Sequence, residues 1–309
     1  MTETVSRNSS GRTAFVITGP TSGLGRATAL EMAKHGTLVL VGRDSGKLND
    51  VKKAVERLGG HAVPVVCDLS DLASVRRAAA QIIALDLPLA GLLNNAGVQN
   101  PRVMKNAAGW DTTFATNHVG PFALTEALVP HLEDGANVVF IGSATEDPER
   151  GPAKRAGFRG GRYISAEASA RGEWKPGGST RPGMDAYATS KQCNIATALA
   201  LARENPRLHV NAVEPGIMFN TGLHANMNAF FVILAHYIVP LMAPFIKVLS
   251  TPKRAARVIA RILIDTSGQS GVYYDEGGRP MQGSALLRDP EFQDRVVAET
   301  RALLSAIPP

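Results

Sequence analysis

The chain has 309 residues, which is enough for one large domain or two small ones. Its hydrophobic fraction of 44% and charged fraction of 19% are typical of a globular protein and argue against a disordered one. The net charge is +6 without a block of consecutive basic residues, so we expect no nucleic-acid partner. A mildly basic surface instead suits a phosphorylated small molecule.

Cysteine content bears on metal binding and on location. The two cysteines, Cys67 and Cys193, are isolated, which argues against a disulfide scaffold and against a zinc site. We therefore expect no metal ion and a reducing, cytoplasmic setting. Residues 1–11 are polar and lack the apolar core of a signal peptide, so we interpret them as a short disordered tail.

Short apolar runs alternate with helix-like segments along the chain. Continuous Val, Ile and Leu runs indicate strands that are buried on both faces. The predicted strands are Ala14–Thr18, 38–41, 62–66, 91–94, 137–141, His209–Val213 and 272–274. The predicted helices are 25–34, 47–58, 72–84, 109–131, 185–204 and a terminal helix that begins at Asp289 and Pro290. This alternation predicts an α/β fold, a doubly wound parallel sheet (Rossmann fold) of about seven strands with helices on both faces.

Two long segments interrupt this alternation. Residues 145–185, called the insertion segment, are rich in Gly, Pro and Arg and are too long for an ordinary connection. Residues 222–250, called the lid segment, are strongly apolar, but His236, Pro240 and Lys247 interrupt them. A buried or substrate-covering segment is therefore favoured over a membrane span, and peripheral membrane contact is the other alternative. We interpret both segments as additions to a single domain that covers residues 12–309.

A glycine-rich turn with the sequence TGPTSGLG follows the first strand directly. Glycines let the backbone turn tightly and approach a pyrophosphate, and the N terminus of the next helix offers free N–H groups to the anion. A turn without any ligand is the alternative, but the position after the first strand of an α/β pattern favours a dinucleotide cofactor. The predicted contacts are Thr18, Gly19, Ser22, Gly23, Leu24 and Gly25.

The end of the second strand bears on the choice of nicotinamide cofactor. An acidic side chain there typically holds the ribose 2′-hydroxyl of NAD, whereas an arginine suits the 2′-phosphate of NADP. The sequence TLVLVGRD places Arg43 before Asp44, so we predict NADP(H) over NAD(H), although Asp44 argues for the opposite choice. After the third strand, Asp68 either accepts a hydrogen bond from the adenine amino group or caps the next helix, and Leu69 lies beside it.

Further motifs follow in a fixed order. They are N-N-A-G at residues 94–97, Asn117 in FATNHVG, Ser143 in FIGSA, Tyr187 with Lys191, and Pro215 with Gly216. Together with the glycine loop, and over residues 12–280, they make the chain resemble the short-chain dehydrogenase/reductases. Two branches look closest. VGRD, TNHVGPFALT and the terminal helix resemble the retinol-dehydrogenase-like group, whereas SKQCN, PGIMFNTGL and the long insertion before the tyrosine resemble the light-dependent protochlorophyllide reductases.

The resemblance implies a catalytic tetrad of Asn117, Ser143, Tyr187 and Lys191. Reduction of a carbonyl needs a proton donor within hydrogen-bond reach of the oxygen, and Tyr187 is the expected general acid/base. Lys191 follows one helical turn later on the same face, so we expect it to lower the pKa of Tyr187 and to hold the nicotinamide ribose. Ser143 is expected to orient the substrate oxygen, and Asn117 to support the lysine in a proton relay.

The resemblance also implies further cofactor contacts and a substrate class. The additional cofactor contacts are Asn94, Asn95, Ala96, Gly97, Pro215, Gly216 and Thr221. The apolar lid segment predicts a bulky apolar substrate, such as a retinoid, steroid, fatty or polyketide-like ketone, unless it packs on the protein or on a second copy. The leading hypothesis is an NADP(H)-dependent enzyme that interconverts a carbonyl and an alcohol. The alternatives are a C=C reductase acting on a porphyrin-like substrate and a non-catalytic NADP(H)-binding regulator. The family implies a homodimer, a homotetramer or a membrane-associated monomer.

Overall fold

A computed structural model of the protein describes residues 13–216 and 250–307. The predicted tail at 1–11, Thr221 and nearly all of the lid segment lie outside these described residues. No helix within the two described ranges is long and apolar enough to cross a membrane.

The centre of the fold is a parallel sheet, which has seven strands in the described part of the chain. Its order is β3-β2-β1-β4-β5-β6-β7, so the direction of winding reverses between β1 and β4. Ligands bind at the carboxyl ends of the strands beside such a reversal. The predicted doubly wound sheet is therefore confirmed. The strands are β1 (Ala14–Thr18), β2 (Thr37–Gly42), β3 (His61–Val66), β4 (Leu89–Asn94), β5 (Leu132–Ile141), β6 (His209–Val213) and β7 (Tyr273–Tyr274).

Helices cover both faces of the sheet, and side-chain caps define where several of them begin. Asp44, Asp71, Asp111 and Asp289 each accept a backbone N–H from the first turn of the helix that follows. The helices are α1 (Gly23–Glu31), α2 (Ser45–Arg57), α3 (Leu72–Ile83), α4 (the consecutive segments Thr112–Phe114, Ala115–Val119 and Gly120–Leu128), α5 (Gly151–Arg155), α6 (Ala166–Arg171), α7 (Pro182–Glu204), α8 (Pro252–Leu263) and α9 (Pro290–Ser305).

Alternate residues of each central strand point into two separate cores. In β1, Val16 packs in the core beneath α3, α4, α7 and α9, whereas Phe15 and Ile17 pack in the core beneath α1, α2 and α8. Because both faces are covered, the central strands contain apolar residues without alternation. This arrangement holds the strand ends in fixed positions relative to one another.

Three local features differ from the sequence predictions. The helix predicted over 109–131 contains a π-helical segment, Ala115–Val119, so its hydrogen-bond pattern changes within one continuous rod. The insertion segment contains two short helices, and α7 already begins at Pro182. Helix α8 was not predicted, although Thr251 caps it, Pro252 occupies its first turn and the sequence PKRAARVIARIL is strongly amphipathic.

Candidate active site

A cavity of about 580 Å³ opens at the carboxyl ends of the strands. The glycine loop, the ends of β2, β4, β5 and β6, helix α7 and the insertion segment all contribute to its wall. The structure thus brings together residues that lie as far apart in the sequence as Gly19 and Glu276. The predicted site residues that line it are Gly19, Ser22, Gly23, Leu24, Gly25, Arg43, Leu69, Asn95, Ala96, Gly97, Ser143, Tyr187, Lys191, Pro215 and Gly216.

Close backbone approach explains the glycines of the loop. Gly19 has a φ of 65° and Gly23 a φ of 49°, in the left-handed region that disfavours other residues. A Cβ on Gly25 would lie 2.9 Å from the carbonyl carbon of Gly19, inside normal van der Waals contact. The side chain of Asn95 fixes the same turn, because its Nδ2 donates to the carbonyl oxygens of Thr18 (2.9 Å) and Gly19 (3.2 Å).

Thr18 lies behind the loop rather than in the cavity wall. Its hydroxyl donates to the carbonyl of Leu93 (3.1 Å) and accepts from the backbone N–H groups of Asn95 (2.9 Å) and Ala96 (3.0 Å). It thereby connects the end of β1 to the turn after β4. Thr18 therefore supports the loop in this geometry, and its direct contact with the cofactor stays a prediction.

The start of α1 faces the cavity with unused donors. Ser22 is the N-cap residue, but its side chain makes no capping hydrogen bond. The first N–H groups of any α-helix lack intrahelical acceptors, and the helix dipole adds positive potential there. The narrow glycine turn and these N–H groups fit the pyrophosphate of a nicotinamide dinucleotide.

The two charged residues that follow β2, Arg43 and Asp44, have different surroundings. Arg43 is exposed and lines the cavity. Asp44 is the N-cap of α2, where Oδ1 accepts from the N–H of Lys47 (3.0 Å) and Oδ2 lies 3.6 Å from the Lys47 ammonium. Of this pair, Arg43 is therefore the residue that lines the cavity.

Asp68 does not line the cavity, although its neighbours Cys67 and Leu69 do. Its Oδ1 accepts from the backbone N–H (2.9 Å) and the hydroxyl (2.8 Å) of Ser70. The cap of α3 is Asp71, which accepts from the N–H of Ala73 (3.0 Å). Asp68 thus stabilises the turn before α3 without capping the helix, and its adenine contact stays a prediction.

Tyr187 and Lys191 share one face of α7, and both line the cavity. The ammonium nitrogen of Lys191 lies 5.6 Å from the centroid of the Tyr187 ring and donates to the carbonyl of Ile141 (3.0 Å). Ser143 follows β5 with its hydroxyl near the Tyr187 phenol, and that hydroxyl also accepts from the hydroxyl of Thr145 (3.1 Å). Tyr187, Ser143 and Lys191 therefore lie near one another in the wall of the cavity.

Asn117 lies in the π-helical segment of α4 and is fully buried. Its amide holds the chain after β4 through two bonds to Val98, accepting from the N–H (2.7 Å) and donating to the carbonyl (2.9 Å). The amide also donates to the Ser190 hydroxyl (3.0 Å). A Cβ at Gly97 would lie 3.4 Å from Asn117 Oδ1 and 3.7 Å from Lys191 Nζ, so these two groups face the same small space. This geometry is compatible with the predicted support of Lys191.

Burial dominates the ionisation of the tyrosine and the lysine. Burial raises the pKa of the Tyr187 phenol, the negative charge of Glu214 raises it further, and the hydrogen bond with Ser143 acts in the opposite direction. Burial lowers the pKa of Lys191 to about 8, against the attraction of Glu214. The expectation that Lys191 holds the pKa of Tyr187 below its usual value is not met here, because desolvation and the charge of Glu214 raise that pKa.

The sequence predictions missed several residues of the cavity wall. Phe158, from the insertion segment, packs against Tyr187 with ring centroids 6.2 Å apart. Glu214, in the segment VEPG, is a charged residue directly after a buried strand, and this is a signal that could have been noticed. The other residues that line the cavity without having been predicted include Arg150, Pro152, Ala153, Ala156 and Glu276.

Comparisons with known proteins identify relatives of this chain. A family model described as short chain dehydrogenase matches residues 13–151. The polyprenol dehydrogenase of Mus musculus is 31% identical over 312 residues, which cover 94% of this chain and 83% of that protein. The protochlorophyllide reductase of Avena sativa is 28% identical over 307 residues, which cover 91% of this chain and 96% of that protein.

Solved structures share the fold. The crystal structure of a short-chain dehydrogenase from Burkholderia cenocepacia J2315 in complex with NADP has a TM-score of 0.63 and is 23% identical. The superposition covers 87% of this chain and 97% of that one. Together with the glycine loop and the strand-end cavity, these similarities place the chain in the short-chain dehydrogenase/reductase family of NAD(P)-dependent oxidoreductases.

Proposed function

We propose that this protein is an NADP(H)-dependent oxidoreductase that interconverts a carbonyl and an alcohol on a bulky apolar substrate. The observation that carries the proposal is that Tyr187, Ser143 and Lys191 line the same cavity as the glycine loop, with the Lys191 ammonium 5.6 Å from the centroid of the Tyr187 ring. A nicotinamide cofactor supplies or accepts the hydride when it is bound.

The protein side chains manage the oxygen and its proton. The Ser143 hydroxyl donates a hydrogen bond to the substrate oxygen, which orients the carbonyl and leaves Tyr187 within reach of the same atom. In reduction, the Tyr187 phenol donates its proton to that oxygen, and in oxidation the phenolate takes the proton back. The raised pKa of Tyr187 favours the protonated phenol near neutral pH, which suits reduction. Lys191, buried beside the phenol, stabilises negative charge that develops on the tyrosine oxygen.

The electrostatics at the end of β2 support NADP(H) as the cofactor. A guanidinium matches the charge and geometry of a 2′-phosphate, and Arg43 lines the cavity. Asp44, the residue that could bind a ribose hydroxyl, accepts instead from the backbone of α2 and faces Lys47. The assay is a comparison of kcat/KM for NADPH and NADH with one carbonyl substrate. A higher kcat/KM with NADH would contradict this choice of cofactor.

The wall beside Tyr187 supports an apolar substrate. Ala153 and Phe158 of the insertion segment form a small hydrophobic cluster with Ala188, and Tyr187 and Met184 pack against it. This surface lies next to the predicted proton donor, where the substrate body would rest, and the insertion segment therefore has a substrate-covering role. The relative from Mus musculus is named for a polyprenol, an apolar alcohol.

The substrate proposal is tested with a panel of ketones ranked by hydrophobicity, with NADPH oxidation as the readout. We expect kcat/KM to rise with apolar surface. Phe158→Ala should raise KM for the most apolar ketones by about 10- to 150-fold, because roughly 1.5–3 kcal/mol of apolar contact is at stake. Ile164→Ala is the matched control, because Ile164 is an exposed residue of the same insertion segment that does not line the cavity. Fastest turnover of small polar ketones would contradict the proposed substrate class.

A second candidate reaction is reduction of a conjugated C=C bond, which the similarity to the reductase from Avena sativa favours. Cys193 lies in the SKQCN motif that suggested this branch, but it is fully buried and does not line the cavity, and burial raises the pKa of its thiol. NADPH-dependent turnover of a porphyrin-like substrate in the light but not in darkness would support this candidate over carbonyl reduction.

A further inference from the structure

Glu214 is a buried glutamate, and burial of a carboxylate costs free energy. It directly follows β6, is only 5% exposed and lines the active-site cavity. An ionised carboxylate removed from water destabilises the fold unless hydrogen bonds replace its hydration. The partners of this side chain therefore indicate why a glutamate occupies the position.

The carboxylate connects the ends of three neighbouring strands. Its Oε2 accepts from the backbone N–H of Ala144, which follows Ser143 at the end of β5. Its Oε1 accepts from the N–H of Gly216 (3.1 Å), and the hydroxyl of Tyr273 in β7 lies 3.5 Å from Oε2. One side chain thus joins the turn that carries Ser143 to the turn formed by Pro215 and Gly216.

The Ser143 turn is attached at both of its ends, since the N–H of Gly142 donates to the carbonyl of Val213 (2.9 Å) and the carboxylate of Glu146 accepts from Ser284. Ser143 itself is extended, with a φ of −167°, and it caps a single 3₁₀ turn, Ala144–Glu146. Its hydroxyl interacts with Thr145 inside the same turn. The bond from Ala144 to Glu214 therefore fixes the turn to the sheet at the residue next to the predicted substrate-orienting serine.

We propose that Glu214 is a positioning residue, whose carboxylate holds the Ser143 turn against the Pro215–Gly216 turn and whose charge acts on Tyr187 across the cavity. The inference rests on the proposed oxidoreductase function. It assigns no proton transfer to Glu214 itself. The two hydrogen bonds require a carboxylate, since an amide group has only one oxygen and cannot accept two N–H donors at two separate oxygens. The effect on Tyr187 requires the negative charge of the same carboxylate.

The charge effect has a definite sign. The negative charge of Glu214 raises the pKa of Tyr187, so removal of that charge should lower it. Burial raises the pKa of Glu214, whereas the N–H groups of Ala144 and Gly216 favour its ionised form. The charged and titratable groups around Glu214 are Arg150 and Glu146 from the segment after β5, Tyr273 and Glu276 from β7 and the turn after it, and Tyr187 and Lys191 from α7.

The test compares Glu214→Gln and Glu214→Ala with the native enzyme in both reaction directions. We expect kcat to fall about 10-fold for Gln and further for Ala, because Gln retains one of the two acceptors. KM for NADPH should change less than kcat. In alcohol oxidation, which needs the Tyr187 phenolate, the acidic limb of the kcat/KM profile should move to lower pH by about one unit.

Glu146→Gln is the matched control. Glu146 lies in the same 3₁₀ turn as Ala144 and is also buried, and its carboxylate attaches that turn to the N–H (3.0 Å) and hydroxyl (2.7 Å) of Ser284, but it does not line the cavity. We expect Glu146→Gln to leave the acidic limb of the kcat/KM profile for alcohol oxidation at the same pH as in the native enzyme. A purely structural role for Glu214 would lower the melting temperature of its variants without moving that limb, and this would overturn the inference. Native turnover by Glu214→Gln would also overturn it. Absence of any turnover by the native enzyme would instead refute the proposed function.

Discussion

Gly25 offers a direct test of the cofactor site, because a Cβ at this position would press on the carbonyl group of Gly19 and on the side-chain amide of Asn95. A Cβ at this position would lie 2.9 Å from the carbonyl carbon of Gly19, whereas nonbonded carbon atoms are ordinarily about 3.5–4.0 Å apart. The loop must therefore move by roughly 0.6–1.1 Å in Gly25→Ala, given that contact distance. Such a shift disturbs the bonds from Asn95 to Thr18 (2.9 Å) and Gly19 (3.2 Å).

Overpacking of this kind costs about 1–3 kcal/mol, which corresponds to an increase of about 5- to 150-fold in the Kd for NADPH if it falls on the bound state. Isothermal titration measures the Kd, and thermal unfolding separates a binding defect from a folding defect. Gly46→Ala is the control, because its Cβ would meet only the exposed side chain of Asp44, at 3.3 Å. A Kd of Gly25→Ala equal to that of the native protein would refute the assignment of this loop to the cofactor.

Two further predictions address charge. Arg43→Ala should raise KM for NADPH by about 10- to 100-fold, since a charge-assisted hydrogen bond contributes about 1.5–3 kcal/mol, and should leave KM for NADH unchanged. Equal effects on both cofactors would contradict a 2′-phosphate contact. His118 is buried between Asn194 and Thr300, and burial lowers its pKa to about 4. Because the unfolded chain binds a proton near pH 6.5, this group stabilises the fold above that pH, and the contribution is lost as the pH falls towards about 4. Denaturant titrations should therefore show the stability advantage of the native protein over His118→Gln shrinking by about 1–3 kcal/mol between pH 7 and pH 4.5. A constant advantage across that range would show that His118 is not the responsible group.

The sequence contains enough local information to predict the sheet and the ligand-facing loop. Buried strands such as β1 and β6 are continuous apolar runs, and a glycine loop after the first strand has few structural alternatives. The pair Tyr187 and Lys191 was also predictable, because a spacing of four within a helix places both side chains on one face.

Contacts between distant segments were not predictable. Glu214 finds its partner at Ala144, a backbone N–H group 70 positions away, and backbone donors leave no trace in the sequence. The contact of Phe158 with Tyr187 depends on how the insertion segment folds back over α7. The pKa of Tyr187 was expected to be lowered by its neighbour Lys191, but burial and Glu214 are properties of the tertiary structure and reverse the sign.

Helix α8 shows a different kind of omission. Its amphipathic pattern, with Thr251 as cap and Pro252 in the first turn, is present in the sequence directly after the apolar lid segment. The helix packs its apolar side in the same core as α1 and α2. Local periodicity was therefore the better guide at this position than overall hydrophobicity.

The central claim is that Tyr187 transfers the proton to the substrate oxygen, and Tyr187→Phe tests it with the loss of a single hydroxyl. The measurement is kcat/KM for NADPH-dependent reduction of a bulky apolar ketone such as a steroid, together with the Kd for NADPH. We predict a fall in kcat/KM of at least about 10²- to 10⁴-fold, with the Kd for NADPH unchanged. Native turnover by Tyr187→Phe would contradict the account.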